Sequence, residues 1–219
     1  MLNFLDVFGT KDVFVIADCI EPDTMKWLCS HLPVSHITPT AYKSGAFSFL
    51  HAARLAASLP GETKVLLAED DYWWTHDCKR CLIEALDIAD YATGYDAPDK
   101  YVNAGALPVG NPLISDKSEV TRLYLTKSCH HKMTNSTTMT WAAKSKTIQE
   151  DYPTYAQYCS NGYPKDFVLF RHLLVKKRRK LLSTVPARAT HCETEHLAPL
   201  VDWETLVMNC QDVLSAARA

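Results

Sequence analysis

Apolar positions along this chain fall into short runs and helical stripes that alternate over most of its length. Val65, Leu66, Leu67 and Ala68 form a run after a Pro60–Gly61 break, which predicts a strand buried on both faces. Asp12–Cys19 is rich in β-branched residues and predicts a first buried strand. Tyr91–Tyr95, Val120–Lys127, Met139–Ala143 and Leu181–Val185 predict further strands, and Ser35–Thr40 a short one weakened by Pro39. Pro22 can open a helix, where its missing N–H is harmless; Met25, Leu28, Cys29 and Leu32 give it a stripe and Pro33 ends it. Ser44 is placed to cap a helix running to about Leu59, with Ala46, Phe49, Leu50, Ala53 and Ala57 on one face. Asp77 is placed to cap another, Cys78 to Ala89. A helical or irregular region begins at Thr147. Pro164 precedes a helix with Phe167, Phe170 and Leu174 on one face, and a last helix starts near Asp202 with Trp203, Leu206, Val207, Cys210 and Leu214 inward. Val102–Asp116 reads as a loop and a candidate lid. The alternation predicts an α/β fold, with a mostly parallel central sheet flanked by helices on both faces of a single domain.

Composition narrows the class. With 219 residues and 47% apolar content, the chain can bury a core and is not of a disordered type. A net charge of −2 supplies no field to recruit nucleic acid. No apolar run is long enough to span a bilayer, and the start lacks the basic stretch and small-residue cleavage site of a signal peptide. Eight scattered cysteines suggest reduced thiols and a cytoplasmic setting. Cys78 and Cys81 form a Cys-x-x-Cys on an apolar stripe; a zinc site would need two more ligands, so they read as buried thiols. The run Lys176–Lys180 reads as a solvated helix terminus.

Candidate chemistry concentrates after the Val65–Ala68 strand, in Glu69, Asp70 and Asp71. Three carboxylates at the tip of a buried strand repel one another unless a cation or hydrogen-bond donors offset them. In open α/β sheets ligands bind at the carboxyl ends of strands. Mg²⁺ or Mn²⁺ suits such a place, taking one or two protein carboxylates and filling its shell with phosphate oxygens and water. Lys43 and Ser44, at the start of the second predicted helix, could hold a phosphate, although an ordinary cap has the same composition. Ser128–Thr138, which includes Asn135, is dense in hydroxyl, amide and imidazole groups and suits sugar recognition.

The order of elements, with its acidic-tipped strand and late histidine, resembles the GT-A fold of nucleotide-sugar-dependent glycosyltransferases. The segments LAEDDYWW, ADYATGYDAPDKY, TKSCHHKMTNSTTMTWAAK, PKDF and THCETEHLAPLVDWE are together similar to the compact glycosyltransferase domains of large DNA viruses of algae, the chloroviruses, and their bacterial relatives. The similarity runs from about Val65 to Trp203. It implies transfer of a hexose or deoxyhexose from a UDP-sugar to a glycan hydroxyl, such as a viral capsid glycan, with Mn²⁺ or Mg²⁺ as cofactor. In that resemblance Asp71 binds the metal, and Glu69 or Asp70 reaches the ribose or a metal-bound water; Glu69 is counted with the metal set and Asp70 with the catalytic set. His191 is the late metal or diphosphate ligand, and Asp18 lies near the base or ribose. Asp166 of PKDF stands where inverting members carry the carboxylate that deprotonates the acceptor. The nucleotide-sugar half would be about residues 1–101 and the acceptor half about 102–219. A clear Glu-Asp pair is missing, so the stereochemistry stays open. A nucleotidyltransferase would want a Gly-rich phosphate loop, which Asp18–Cys19–Ile20–Glu21 is not. A non-catalytic carbohydrate-binding module on the same fold is the third reading.

Overall fold

The computed structural model describes residues 1–102, 110–114 and 118–208. In chain order the elements are α1 (Leu2–Phe8), β1 (Val15–Asp18), α2 (Pro22–His31), β2 (Ile37–Thr40), α3 (Gly45–Ala57), β3 (Lys64–Leu67), β4 (Tyr72–Trp74), α4 (Cys78–Ala85), β5 (Tyr91–Thr93), β6 (Leu123–Leu125), β7 (His130–Met133), β8 (Trp141–Lys144), α5 (Ser145–Tyr158), α6 (Asp166–Val175), β9 (Leu181–Val185) and β10 (Ala189–His191). Residues 203–208 are helical. Among the described residues, no helix is long and apolar enough to cross a membrane.

The central sheet has six strands in the order β3-β8-β5-β9-β7-β6. It is mixed, not mostly parallel. Among the described residues only β5 and β9 run parallel within it, and β3–β8, β5–β8, β7–β9 and β6–β7 are antiparallel. Strands covered by helices on both faces read as continuous apolar runs in either direction, so the pattern predicted direction incorrectly. Burial on both faces holds for β5 and β9, whereas in β3 only Leu67 is buried and in β1 only Ala17. Two small pairs complete the architecture, parallel β1–β2 and antiparallel β4–β10. The proposed halves, split near residue 101, share one sheet: β3 and β5 come from the first, β8, β9, β7 and β6 from the second.

Alternation along the strands builds the two cores. Leu67, Tyr91, Trp141, Ala143 and Leu181 face the layer of α3, α5 and α6, where Phe49, Ile148, Tyr155, Leu169, Phe170 and Leu173 are buried. The neighbouring residues Ala92, Ala142 and Leu182 face the other layer, with Cys78, Leu82 and Ala85 of α4, Trp74 of β4, and Trp203. Cys78 and Cys81 are both buried on the inner side of α4, as their spacing predicts.

Several local expectations shift. Helix α4 stops at Ala85 rather than Ala89, and Asp77 caps it by position only. The Asp77 carboxylate instead pairs with Arg188 at 3.0 Å and accepts from the Thr75 hydroxyl. Cys29 is exposed, leaving Leu28 and Leu32 as the buried residues of their stripe. On α6 the buried residues are Leu169, Phe170 and Leu173, one position off the expected Phe167–Phe170–Leu174 face. The segment Ser128–Thr138, read as a polar stretch suited to sugar recognition, contributes β7. Most of the candidate lid (103–109, 115 and 116) lies outside the described residues, as do Cys210 and Leu214.

Candidate functional site

Strand β3 ends where the chain meets Glu69, Asp70 and Asp71, because carboxylates resist the desolvation that its apolar residues accept. The backbone then turns into β4, whose Tyr72 and Trp74 are buried. Strand β10 pairs with β4 in antiparallel register, setting His191 opposite Tyr72. The pairing continues at Cys192, whose N–H donates to the Asp71 carbonyl at 2.8 Å. A histidine late in the chain is thus carried to the acidic tip. His191 Nε2 lies 3.1 Å from Asp71 Oδ2, with the histidine side chain 17% and the aspartate 48% exposed. The imidazole packs edge-on against the Tyr72 ring at 5.3 Å and the His196 ring at 5.4 Å.

The hydrogen bonds around His191 set its tautomer. The backbone N–H of Glu193 donates to Nδ1 at 3.2 Å. Nδ1 is therefore the acceptor, and the ring proton of the neutral imidazole sits on Nε2, facing Asp71. In this arrangement His191 is a hydrogen-bond donor toward an anionic oxygen. Of its two implied roles, metal ligand or diphosphate contact, this hydrogen bonding fits the second. A metal on Nε2 would require the proton to move to Nδ1, against the Glu193 N–H.

Glu69 stands at the same tip but is differently held. Its N–H donates to the Thr140 hydroxyl at 3.0 Å, and that hydroxyl donates to Glu69 Oε2 at 3.1 Å. Solvent reaches the residue, yet protein atoms crowd its carboxyl. That crowding, with the Asp71 charge next, pushes its pKa up to about 7, against the Thr140 hydrogen bond; Asp166 and Asp70 add to the rise. Asp70 is exposed. Among the described residues, no group of three or more His, Cys, Asp or Glu side chains is arranged to hold a metal ion. The expected triad of Glu69, Asp71 and His191 is thus not assembled as a ligand cage. What remains for a hard cation is the half-exposed carboxylate of Asp71, which would need its other ligands from substrate phosphates and water.

Asp166 is the first residue of α6 and accepts from the Phe167 N–H at 2.6 Å. Burial raises its pKa above the usual carboxylate value, opposed by that N–H and by the Lys100 charge, and reinforced by Asp99. Glu69 responds to the charge of Asp166, and Asp166 to those of Lys100 and Asp99. Asn135 meets Lys100 directly, its side-chain oxygen accepting from the ammonium at 3.2 Å. Lys100 and Asp99 drew no attention in the sequence because they lie in an apparently ordinary turn.

Asp18, Lys43 and Ser44 form a separate group. Asp18 Oδ1 accepts from the Tyr42 N–H at 2.6 Å and the Thr40 hydroxyl at 3.0 Å, and Oδ2 from the Ser44 N–H at 3.2 Å. Desolvation raises the Asp18 pKa, but these hydrogen bonds outweigh it and leave the carboxyl below its ordinary value. A carboxylate thus already sits by the N-terminus of α3, where a phosphate was expected. The Ser44 hydroxyl donates to the Gly162 carbonyl at 2.6 Å and caps the Phe47 N–H at 3.3 Å. Lys43 is exposed, with a left-handed φ of 52°. Among the described residues, no hydrogen bond or ion pair joins this trio to Glu69, Asp71 or His191. No protein-family model matches the chain, and neither do any curated protein or solved structure.

Proposed function

We propose that this chain is a glycosyltransferase that moves a sugar from a nucleoside diphosphate sugar, a UDP-sugar, to a hydroxyl acceptor in the presence of Mn²⁺ or Mg²⁺. The observation that supports it best is the Asp71–His191 pair, an anionic ligand and a hydrogen-bond donor brought together from distant parts of the chain at the open end of β3. Asp71 would hold the divalent cation, which when bound supplies Lewis-acid stabilisation of the departing diphosphate.

The remaining roles fall to the chain's own groups. His191 Nε2–H donates to a diphosphate oxygen where it now meets Asp71, adding stabilisation as charge grows on the leaving group. Asp166, with its raised pKa and partial burial, takes the proton of the acceptor hydroxyl. Thr140 fixes the Glu69 carboxylate, so that it orients the donor rather than swinging into solvent. Asp70, exposed at the tip, is left to the ribose or to water bound near the cation. Asp18 holds the β2–α3 connection that carries Lys43.

The test is a thermal-shift series with UDP and UDP-sugars, with Mn²⁺, Mg²⁺ or EDTA, followed by a donor-hydrolysis assay. A ligand that binds only the folded state raises Tm by mass action. The expected result is a shift with UDP that needs the cation, and slow release of UDP from at least one UDP-sugar. Equal shifts in EDTA, or none at all, overturn the reading.

A further inference from the structure

Lys100 is 3% exposed, and all three protons of its ammonium are committed: to Asp99 Oδ2 at 3.0 Å, Asn135 Oδ1 at 3.2 Å and Ser136 Oγ at 2.7 Å. Asn111, 2% exposed, spans the same two partners, with Nδ2 donating to Asp99 Oδ2 at 3.2 Å and to Asn135 Oδ1 at 2.9 Å. The Ser136 hydroxyl donates to Asn135 Oδ1 at 3.0 Å. An ammonium only donates, so the Asn135 atom facing Lys100 is the oxygen and the amide nitrogen faces the other way. Asp99 Oδ1 is buried with no hydrogen-bond partner, and among the described residues the side-chain hydrogen bonds of Asn135 all fall on its oxygen, which leaves its NH₂ uncommitted. A buried acceptor left without a partner is costly, and a fully satisfied frame that ends in one free donor and one free acceptor is prearranged for a ligand.

We propose that Asn135 and Asp99, held together by Lys100 and Asn111, form a clamp for two adjacent hydroxyls of a pyranose ring. One hydroxyl accepts from the Asn135 amide, and its neighbour donates to Asp99 Oδ1. A sugar hydroxyl both donates and accepts, so a vicinal pair matches this donor–acceptor frame. The carboxyl of Asp166 responds to the charges of both Lys100 and Asp99, which links the clamp electrostatically to the proposed base. This inference rests on reading the site as a sugar site; the ring belongs either to the donor or to the acceptor.

The decisive variant is Asn135→Asp, which keeps the oxygen that Lys100 and Asn111 hold and removes the free amide. Affinities for UDP and UDP-glucose are measured with Mn²⁺, and saturation-transfer NMR is recorded with methyl glycosides of glucose, galactose, mannose, rhamnose and xylose. A clamp on the donor sugar predicts that UDP-glucose loses at least about tenfold in affinity in the variant while UDP does not. A clamp on the acceptor predicts loss of saturation transfer to the glycoside that the unaltered protein binds. A folded variant that keeps both properties overturns the clamp, as does an unaltered protein that binds UDP and UDP-glucose equally and no glycoside. Monodeoxy analogues of the bound sugar repeat the test without a variant: removing either of two neighbouring hydroxyls should weaken binding about tenfold, and a uniform effect around the ring overturns the proposal. If UDP fails to bind with Mn²⁺ while glycoside binding depends on Asn135, the transferase reading falls and the clamp stands.

Discussion

Asn3 of α1 and Trp74 of β4 exchange two hydrogen bonds, Asn3 Nδ2 to the Trp74 carbonyl at 3.0 Å and the Trp74 N–H to Asn3 Oδ1 at 2.8 Å. The amide completes the outer edge of β4, whose other edge pairs with β10. In a strand of three residues the outward backbone groups of Trp74 are thus satisfied, just after the acidic tip. The rings of Phe4 and Phe8 meet the Trp74 ring edge-on at 5.8 and 5.2 Å, adding apolar contact to the polar pair.

Asn3→Ala should therefore strand the Trp74 N–H and carbonyl in a buried place. Each unpaired group costs about 1–3 kcal/mol, and a chain of this size loses about 2–4 °C in Tm per kcal/mol. A scanning-calorimetry Tm within 1 °C of the unaltered protein would show that α1 contributes nothing to holding β4.

Asp71→Asn keeps the side chain's size and removes its charge. On the proposed mechanism it should cost at least about a hundredfold in cation-dependent kcat/KM, the scale of losing one strong electrostatic contact in a transition state. Its Tm without ligand should hold or rise, since one charge leaves a crowded acidic tip. Activity within about tenfold, a barrier change of roughly 1.4 kcal/mol, would move the role to Glu69 or Asp70.

His191→Ala separates two chemistries. A metal ligand predicts a larger loss with Mn²⁺, which accepts imidazole, than with Mg²⁺, which prefers oxygen. The proton on Nε2, fixed by the Glu193 N–H on Nδ1, predicts instead equal losses with the two ions. His191→Gln, which keeps an N–H donor, should then recover part of the activity. A selective Mn²⁺ defect would reassign His191 to the metal.

These contacts also show what a pattern of residues can and cannot disclose. Ser44 as a cap, Pro22 as a helix start and Leu181–Val185 as a strand were legible because each depends on neighbours within one turn or one pleat. Strand β7, HHKM, was not, because its buried Lys132 is tolerable only through distant groups: Asp96 at 2.7 Å and the Tyr101 hydroxyl at 3.0 Å, 36 and 31 residues earlier in the chain. Helix α1 is seven residues long and depends on its contact with β4, so it has little periodicity to display. The acidic tip and His191 could be named as chemistry, but the register that joins them is a property of β4 and β10 together. Lys100 and Asn111 escaped notice because their partners, Asp99 and Asn135, come from separate loops.

Asp166→Asn should abolish transfer and leave UDP binding unchanged, if the carboxylate serves as base. Because burial raises its pKa, the acid limb of kcat/KM should fall above the ordinary carboxylate value of 3.8. Weakened UDP binding with residual transfer would place Asp166 on the donor side.

The pH dependence of folding should be governed elsewhere, at Asp151 of α5. Its side chain is fully buried and accepts from Lys177 at 2.8 Å, from Arg179 Nε at 2.8 Å and from the Tyr91 hydroxyl at 2.7 Å. Desolvation alone would raise its pKa, but the hydrogen bonds from Arg179, Lys177 and Tyr91 together outweigh that and hold it below 3.8. A carboxyl depressed by folding binds its proton more readily in the unfolded chain. Its contribution is therefore complete above the unfolded pKa and is lost as pH falls through the folded one. From neutral pH down to about 4 stability should hold or rise, because the raised carboxyls of Glu69 and Asp166 take up protons more readily in the folded chain, and it should drop steeply below, with Asp151 a principal cause. Asp151→Asn should lower stability at pH 7 by up to about 3–5 kcal/mol, since Arg179 and Lys177 lose their common anion. It should also flatten the decline below pH 4. Urea unfolding at pH 7, 5, 4 and 3 checks both; parallel curves for the two proteins would show that the ion pairs of the basic run contribute nothing to acid sensitivity.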